Sequence, residues 1–426
     1  MKSSTWKTWL GLNSSTAALL ATVLLVTAGT ELWSPLIPQF LKSLRSHDGD
    51  LNARLLLTVG FYGFFRDALE AANYFAGGAI AGRFNTRRSL LLFNALPLFG
   101  LGLLVIWPSV VSVFLAIPFI FLWDSIAGPA ILTVVSESVP SDRRTMVFSI
   151  QAIVRRLSRM LAYAISAGVV LWLGTVNGVR ADAGIAIGFV LLALWIQSRH
   201  MKTATRDRSM AIQQPLKLLR SFPPELKRLL ASDILARWAE GLAGPFVILF
   251  CVPLLSSNSV KGTATYQSGL LTIQAVTSIV LYILVGPMAS REGLAKRPFV
   301  GLTFLFFALF PVSLAVLGTT FGYLGLAIAF VVGGLREIGE PARKALITDL
   351  VPAEVKTQAI GLYWSTRSAA VMWASPVGAA VWILGDAVWV GTGGVITFLF
   401  AGAIGLIGAG LYMFGSSGNR WSSAKG

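Results

Sequence analysis

Gly78-Ala79-Ile80-Ala81-Gly82-Arg83-Phe84-Asn85-Thr86-Arg87-Arg88 closes one long apolar run and opens another, and Gly286-Pro287-Met288-Ala289-Ser290-Arg291-Glu292-Gly293 does the same about 210 residues later. Each is a short basic break between two stretches of roughly 20 apolar residues, long enough at about 1.5 Å per residue to cross a hydrocarbon layer of about 30 Å. Working outward from these breaks gives twelve such stretches, at 16 to 40, 55 to 82, 89 to 108, 110 to 136, 146 to 174, 183 to 198, 229 to 255, 267 to 289, 298 to 318, 320 to 350, 358 to 384 and 387 to 414. They are rich in Leu, Ala and Gly without strict alternation, which suits helices and not barrel strands. The expected fold class is an all-α integral membrane protein of 12 transmembrane helices. Composition agrees: 55% of the 426 residues are hydrophobic and 13% charged, mean hydropathy is +0.72, and a soluble domain carries about 25% charged residues.

The net charge of +16 does not point to nucleic acid, because the basic residues follow the loops. Lys2, Lys7, Arg83, Arg87, Arg88, Arg143, Arg144, Arg291, Lys296, Arg297, Arg343, Lys344, Lys356, Arg420, Lys425 and a basic central stretch fall on one side. Only Lys42, Arg45, Arg54, Arg180 and Lys261 fall on the other, so both termini are expected to be cytoplasmic. Compact loops point to a bacterial cytoplasmic (inner) membrane. The first apolar run, about Thr16 to Phe40, is too long for a signal-peptide core and is read as a retained span. The lone Cys251 excludes an internal disulfide, and two histidines, His47 and His200, offer no cluster, so neither metal nor cofactor is expected. No Walker loop, dinucleotide fingerprint or Ser-His-Asp set is present, and the chain is not expected to be an enzyme.

Shifted against itself by 208 to 212 residues, the sequence brings Gly78 and Arg83 onto Gly286 and Arg291, Glu31 onto Glu240, and Pro129, Pro140 and Arg155 onto Pro341, Pro352 and Arg367. This predicts two pseudo-symmetric six-helix bundles, 1–198 and 229–426, joined by a basic linker at 199–228 that contains Pro215, Pro223 and Pro224. Parallel repeats of this kind build transporters whose halves rock about a midplane site.

Taken together, these features resemble the major facilitator superfamily. Its signature loop after helix two, roughly Gly-x-x-x-Asp-Arg-x-Gly-Arg-Arg, is matched at Gly78, Arg83, Arg87 and Arg88, and echoed after helix eight by Gly286, Arg291 and Gly293. The family's aspartate is Gly82 in the first copy and Ser290 in the second, and Asn85 replaces a glycine, so the charge interaction that latches the cytoplasmic side in the family is expected to be weaker or made by other groups. The family's drug–proton antiporters carry a Gly-Pro run in helix five and an arginine in helix four. Here the fifth span has no proline and Asp124 stands where the arginine would be, so that type is not supported. The resemblance implies a secondary transporter of a small organic solute working by rocker-switch alternating access, with a proton as a candidate coupling ion and a monomer as the working state. An exporter of amphipathic compounds and a non-transporting, transporter-like sensor stay open.

Ionisable groups inside spans are costly and tend to face a wet cavity. Arg155 and Arg367 lie about nine residues into helices five and eleven, roughly 13 Å along the axis and close to midplane. They are the first candidates for an anionic or polar substrate. Glu31 and Glu240 are expected either to pair with them and take up a proton or to form structural bridges. Arg156 and Arg159 read as structural or snorkelling. Arg336 and Glu340 are spaced to pair at i,i+4, with Glu337 on the same face, forming either a gate on the cytoplasmic side or a proton relay. Arg66 and Glu70 have the same spacing and read as structural. Tyr363 and Trp364 are candidates for contact with a substrate's apolar surface.

Overall fold

A computed structural model describes residues 14–45, 52–81, 86–120, 144–200, 215–255, 260–289, 297–351 and 356–415. Every regular element among them is helical. The first span is α1 (Ser14–Trp33), a 3-10 turn at Ser34–Leu36 and α2 (Ile37–Arg45). Next come α3 (Ala53–Ala81), α4 (Thr86–Ile106), α5 (Val110–Ile120) and the long α6 (Arg144–His200). A short α7 (Pro215–Arg220) precedes α8 (Pro224–Ala243), a 3-10 turn at Gly244–Phe246 and α9 (Val247–Leu254). The remainder is α10 (Val260–Ala289), α11 (Arg297–Ser313), α12 (Thr319–Leu335), α13 (Glu340–Leu350), α14 (Lys356–Val371), α15 (Ala374–Val388) and α16 (Gly393–Phe414). Seven stretches are long and apolar enough to cross a membrane, and two of these, 153–200 and 297–344, are hairpins of two crossings each. The charged α3 and the shorter apolar α4 and α5 occupy the second, third and fourth expected spans among the described residues.

The two hairpins turn on single glycines. Gly174 has φ 75° and Gly322 has φ 55°, backbone that L side chains rarely adopt. Gly178 packs back on Val170, and Gly318 on Leu326. The sixth span therefore begins just after Gly174 and not at 183. Polar residues near 180 suggested a loop, but they bond to neighbouring helices. Arg180 Nε donates to the Val105 carbonyl at 2.9 Å, and the Ser166 hydroxyl donates to buried Asp182 at 2.7 Å. The stretch read as a linker likewise contains α7 and the first turn of α8, with Pro224 at its start, where a missing N–H costs nothing.

Pro35 and Pro245 break the first and seventh spans at matching places. Each sits in a 3-10 turn just past Glu31 or Glu240, as expected where proline removes an i→i−4 hydrogen bond. Two seams join the chain's halves. Along one, α3 packs on α14 and α15; along the other, α6 packs on α10. Ser365 donates to the Ala71 carbonyl at 2.8 Å in the first seam, and Ser268 to the Tyr163 carbonyl at 2.8 Å in the second. The outer faces expose Phe61, Leu92, Leu115, Leu284 and Ile407, which suits a solvent of lipid tails.

Candidate functional site

Between the seams lies a cavity of about 640 Å³, lined from the first, second, fifth, seventh, eighth, ninth, tenth and eleventh spans. The broken helices bring Pro35 and Pro245 to its wall, and Gln267 and Gln274 face it from α10. Its lining carries six arginines and six carboxylates, all near the middle of their spans, and nearly all are arranged in close pairs.

In the N-terminal half, Arg159 Nε meets Glu31 at 2.7 Å, and the Tyr163 hydroxyl donates to the same carboxylate at 3.0 Å. Arg66 meets its neighbour Asp67 at 3.0 Å. The C-terminal half is denser. Arg237 bridges Glu240 at 2.7 Å and Glu340 at 2.8 Å, and Arg336 reaches Glu240 at 3.1 Å. Behind them Arg343 pairs with both Asp233 and Glu340, and Tyr363 donates to Asp233 at 3.0 Å. One ion pair crosses between the halves among the described residues: Arg156 of α6 to Glu337, which also accepts from the Tyr282 hydroxyl at 2.7 Å.

The structure thus moves several assignments. Glu31, Glu240, Arg336, Glu337, Glu340 and Arg367 line the cavity; Arg155 is half-buried on α6 and is not among the lining residues. Arg156 and Arg159, read as structural, do line it. They lie about 60° apart on the helix, and Arg155, about 40° to the other side of Arg159, falls beyond the edge of the lining face. Glu31 pairs with Arg159, not Arg155, and Glu240 with Arg237 and Arg336, not Arg367. The expected Arg336–Glu340 pair does not form, because residues 336–339 are a turn and not helix, held by the Gly339 N–H donating to Thr303 Oγ1 at 2.7 Å. Helical spacing therefore does not apply there. Arg66 pairs with Asp67 instead of Glu70, which accepts from the Tyr74 hydroxyl at 2.9 Å. Tyr363 is fully buried and does not face the cavity, and Trp364 stands behind Arg367, whose guanidinium lies 4.2 Å from its ring centre.

Asp233 and Arg237 were missed, although the series Asp233, Arg237, Glu240 at i, i+4, i+7 already places alternating charge on one helix face. Asp124, Arg83, Arg291 and Gly293 lie outside the described residues. Gly78 and Gly286 fall within α3 and α10, and Arg87 and Arg88 in the first turn of α4.

No protein-family model matches the sequence, and a comparison with curated proteins finds no match. The likeness is in structure. The human organic anion transporter MFSD10 (TETRAN) superposes with a TM-score of 0.68 at 15% identity over 94% of this chain and 99% of that chain. The peptide transporter POT, solved with sulfate, gives 0.70 at 17% identity over 93% and 94%. The chain shares the fold of these two transporters, that of the major facilitator superfamily.

Proposed function

We propose that this chain is a secondary transporter that carries a small charged organic solute across the membrane by alternating access, each half moving as one body about the seams. The observation that carries this reading is the cavity at mid-depth between the halves, lined by charges that a protein selected only to sit in lipid would replace at a gain. Arg156 and Glu337 act as the latch between halves. When α6 and the 336–339 turn part, this pair breaks, and a solute able to offset that loss favours the parted state. The latch lies on the Tyr282 side of midplane, opposite the Gly174 and Gly322 turns, in keeping with a cytoplasmic gate. Two expectations join this reading: both termini face the cytoplasm of a bacterium, and residues 1–198 and 229–426 are the two moving bundles. Glu31, held by one arginine and one tyrosine, is the carboxylate best placed to exchange a proton with the cavity, and a proton is our proposed coupling ion.

Counterflow of radiolabelled solutes into proteoliposomes tests this. Wild-type protein is expected to exchange at least one charged solute, and Arg237→Gln, which strips both Glu240 and Glu340 of a partner, is expected to abolish exchange. Ligand binding without any counterflow would overturn the transport reading in favour of a sensor. Exchange restricted to bulky amphipathic cations and insensitive to Arg237 would favour the exporter.

A further inference from the structure

Once the close ion pairs are set aside, two opposite charges remain on the cavity lining, one on each of the two helices that meet along the α3–α14 seam. Glu31, Asp67, Glu240, Glu337 and Glu340 each have a guanidinium in direct contact. Glu70 of α3 has none within 4.0 Å among the described residues and accepts a hydrogen bond from the Tyr74 hydroxyl. Arg367 of α14 is 7% exposed. Its nearest carboxylate is Asp233 at 3.9 Å, already taken by Arg343 and Tyr363, and Arg367 Nη1 makes no hydrogen bond. Both groups line the cavity.

Each is held in place by an aromatic ring. The Tyr74 hydroxyl fixes Glu70, the Trp364 ring lies under Arg367, and the two rings meet across the α3–α14 seam at 5.9 Å between centres. A buried arginine nitrogen with nothing to donate to is costly, and so is an unpaired charge in low dielectric. An incoming anion alone would satisfy Arg367 but leave Glu70 facing a second negative charge. A cation alone would do the reverse. A molecule with an anionic group and an ammonium group on one short frame satisfies both.

Resting on the transport reading above, we infer that Glu70 and Arg367 form the recognition pair of this cavity and that its substrate is a small zwitterion, its carboxylate or other anionic group on Arg367 and its ammonium on Glu70. Such a ligand ties α3 to α14, one wall from each half.

The test is a thermal-shift and calorimetric comparison of three matched sets on the full chain in nanodiscs: leucine, 4-methylpentanoate and 3-methylbutylamine; phenylalanine, 3-phenylpropionate and phenethylamine; 4-aminobutyrate, butyrate and butylamine. At least one zwitterion is expected to bind, with its anion and amine counterparts weaker by about tenfold or more, the scale of one lost charged hydrogen bond. Glu70→Gln is expected to erase the preference for zwitterion over anion, by weakening the zwitterion and strengthening the anion that no longer meets a second negative charge, and Arg367→Gln to remove binding of both. Should either variant fail to fold, Tyr74→Phe, which frees the Glu70 carboxylate, is expected to reduce the same preference. The inference is overturned if no zwitterion binds, if anions bind as tightly as their zwitterions, or if Glu70→Gln or, in its place, Tyr74→Phe leaves the preference intact. Counterflow separates the two readings. Exchange of plain anions, indifferent to Glu70, sinks this inference and leaves transport standing; tight zwitterion binding with no exchange sinks transport and leaves the pair.

Discussion

The two halves of this protein repeat in backbone and differ in chemistry. Glu31 and Glu240 occupy matching turns ahead of matching prolines, Pro35 and Pro245. Yet Glu31 is held by one arginine from another helix, with side chains 15% and 30% exposed, whereas Glu240 belongs to a lattice running through Arg237, Glu340 and Arg343 to Asp233, where Arg343 and Asp233 are each 1% exposed. Matching prolines set where these two helices bend, while the residues that differ set which charges meet, and in this chain the buried charges concentrate in the C-terminal half. That half reads as the more rigid body and the N-terminal half as the one whose carboxylate is free to change partners.

The largest expected effect is at the bottom of the lattice. Arg343→Leu leaves Asp233 buried without its main partner, which costs about 3–5 kcal/mol, and thermal unfolding in detergent should show a correspondingly large fall in Tm. If Arg343→Leu and Arg159→Leu destabilise equally, the contrast between the halves is false. For Arg159→Leu we expect the smaller loss of about 1–3 kcal/mol, since its partner Glu31 retains the Tyr163 hydrogen bond and cavity water. Next comes the latch. Arg156→Gln should favour opening on the Tyr282 side and close the other end of the cavity, where Cys251 lies. Maleimide labelling of this single cysteine should then slow by up to about tenfold, the population change worth about 1.4 kcal/mol. Faster labelling would place the latch on the opposite face. The smallest effect belongs to the hairpin: Arg180→Ala removes one hydrogen bond to the Val105 carbonyl and should cost about 1 kcal/mol by the same unfolding measurement.

Much of the architecture was legible because lipid imposes it. Apolar runs had to be about 20 residues long, and the shift of about 210 residues put Glu31 and Glu240 at matching places, both of which line the cavity. What the sequence hid were partners and turns. Arg155 and Arg367 match in the sequence repeat, yet Arg367, Arg156 and Arg159 line the cavity while Arg155 does not. The spacing of Arg336 and Glu340 misled because Gly339 and Pro341 replace a helical turn at that point. Arg180 and Asp182 looked like a loop because their satisfying groups, Val105 and Ser166, are distant in sequence.

The reversals at Gly174 and Gly322 also bear on how the chain is made. A single residue spans at most about 3.6 Å, less than the width of one helix. Neither partner of such a hairpin can settle into the bilayer while the other waits outside. Helices on both sides of Gly174, and likewise of Gly322, must leave the insertion machinery as one unit, and a side chain at either glycine would injure biogenesis before it injured transport.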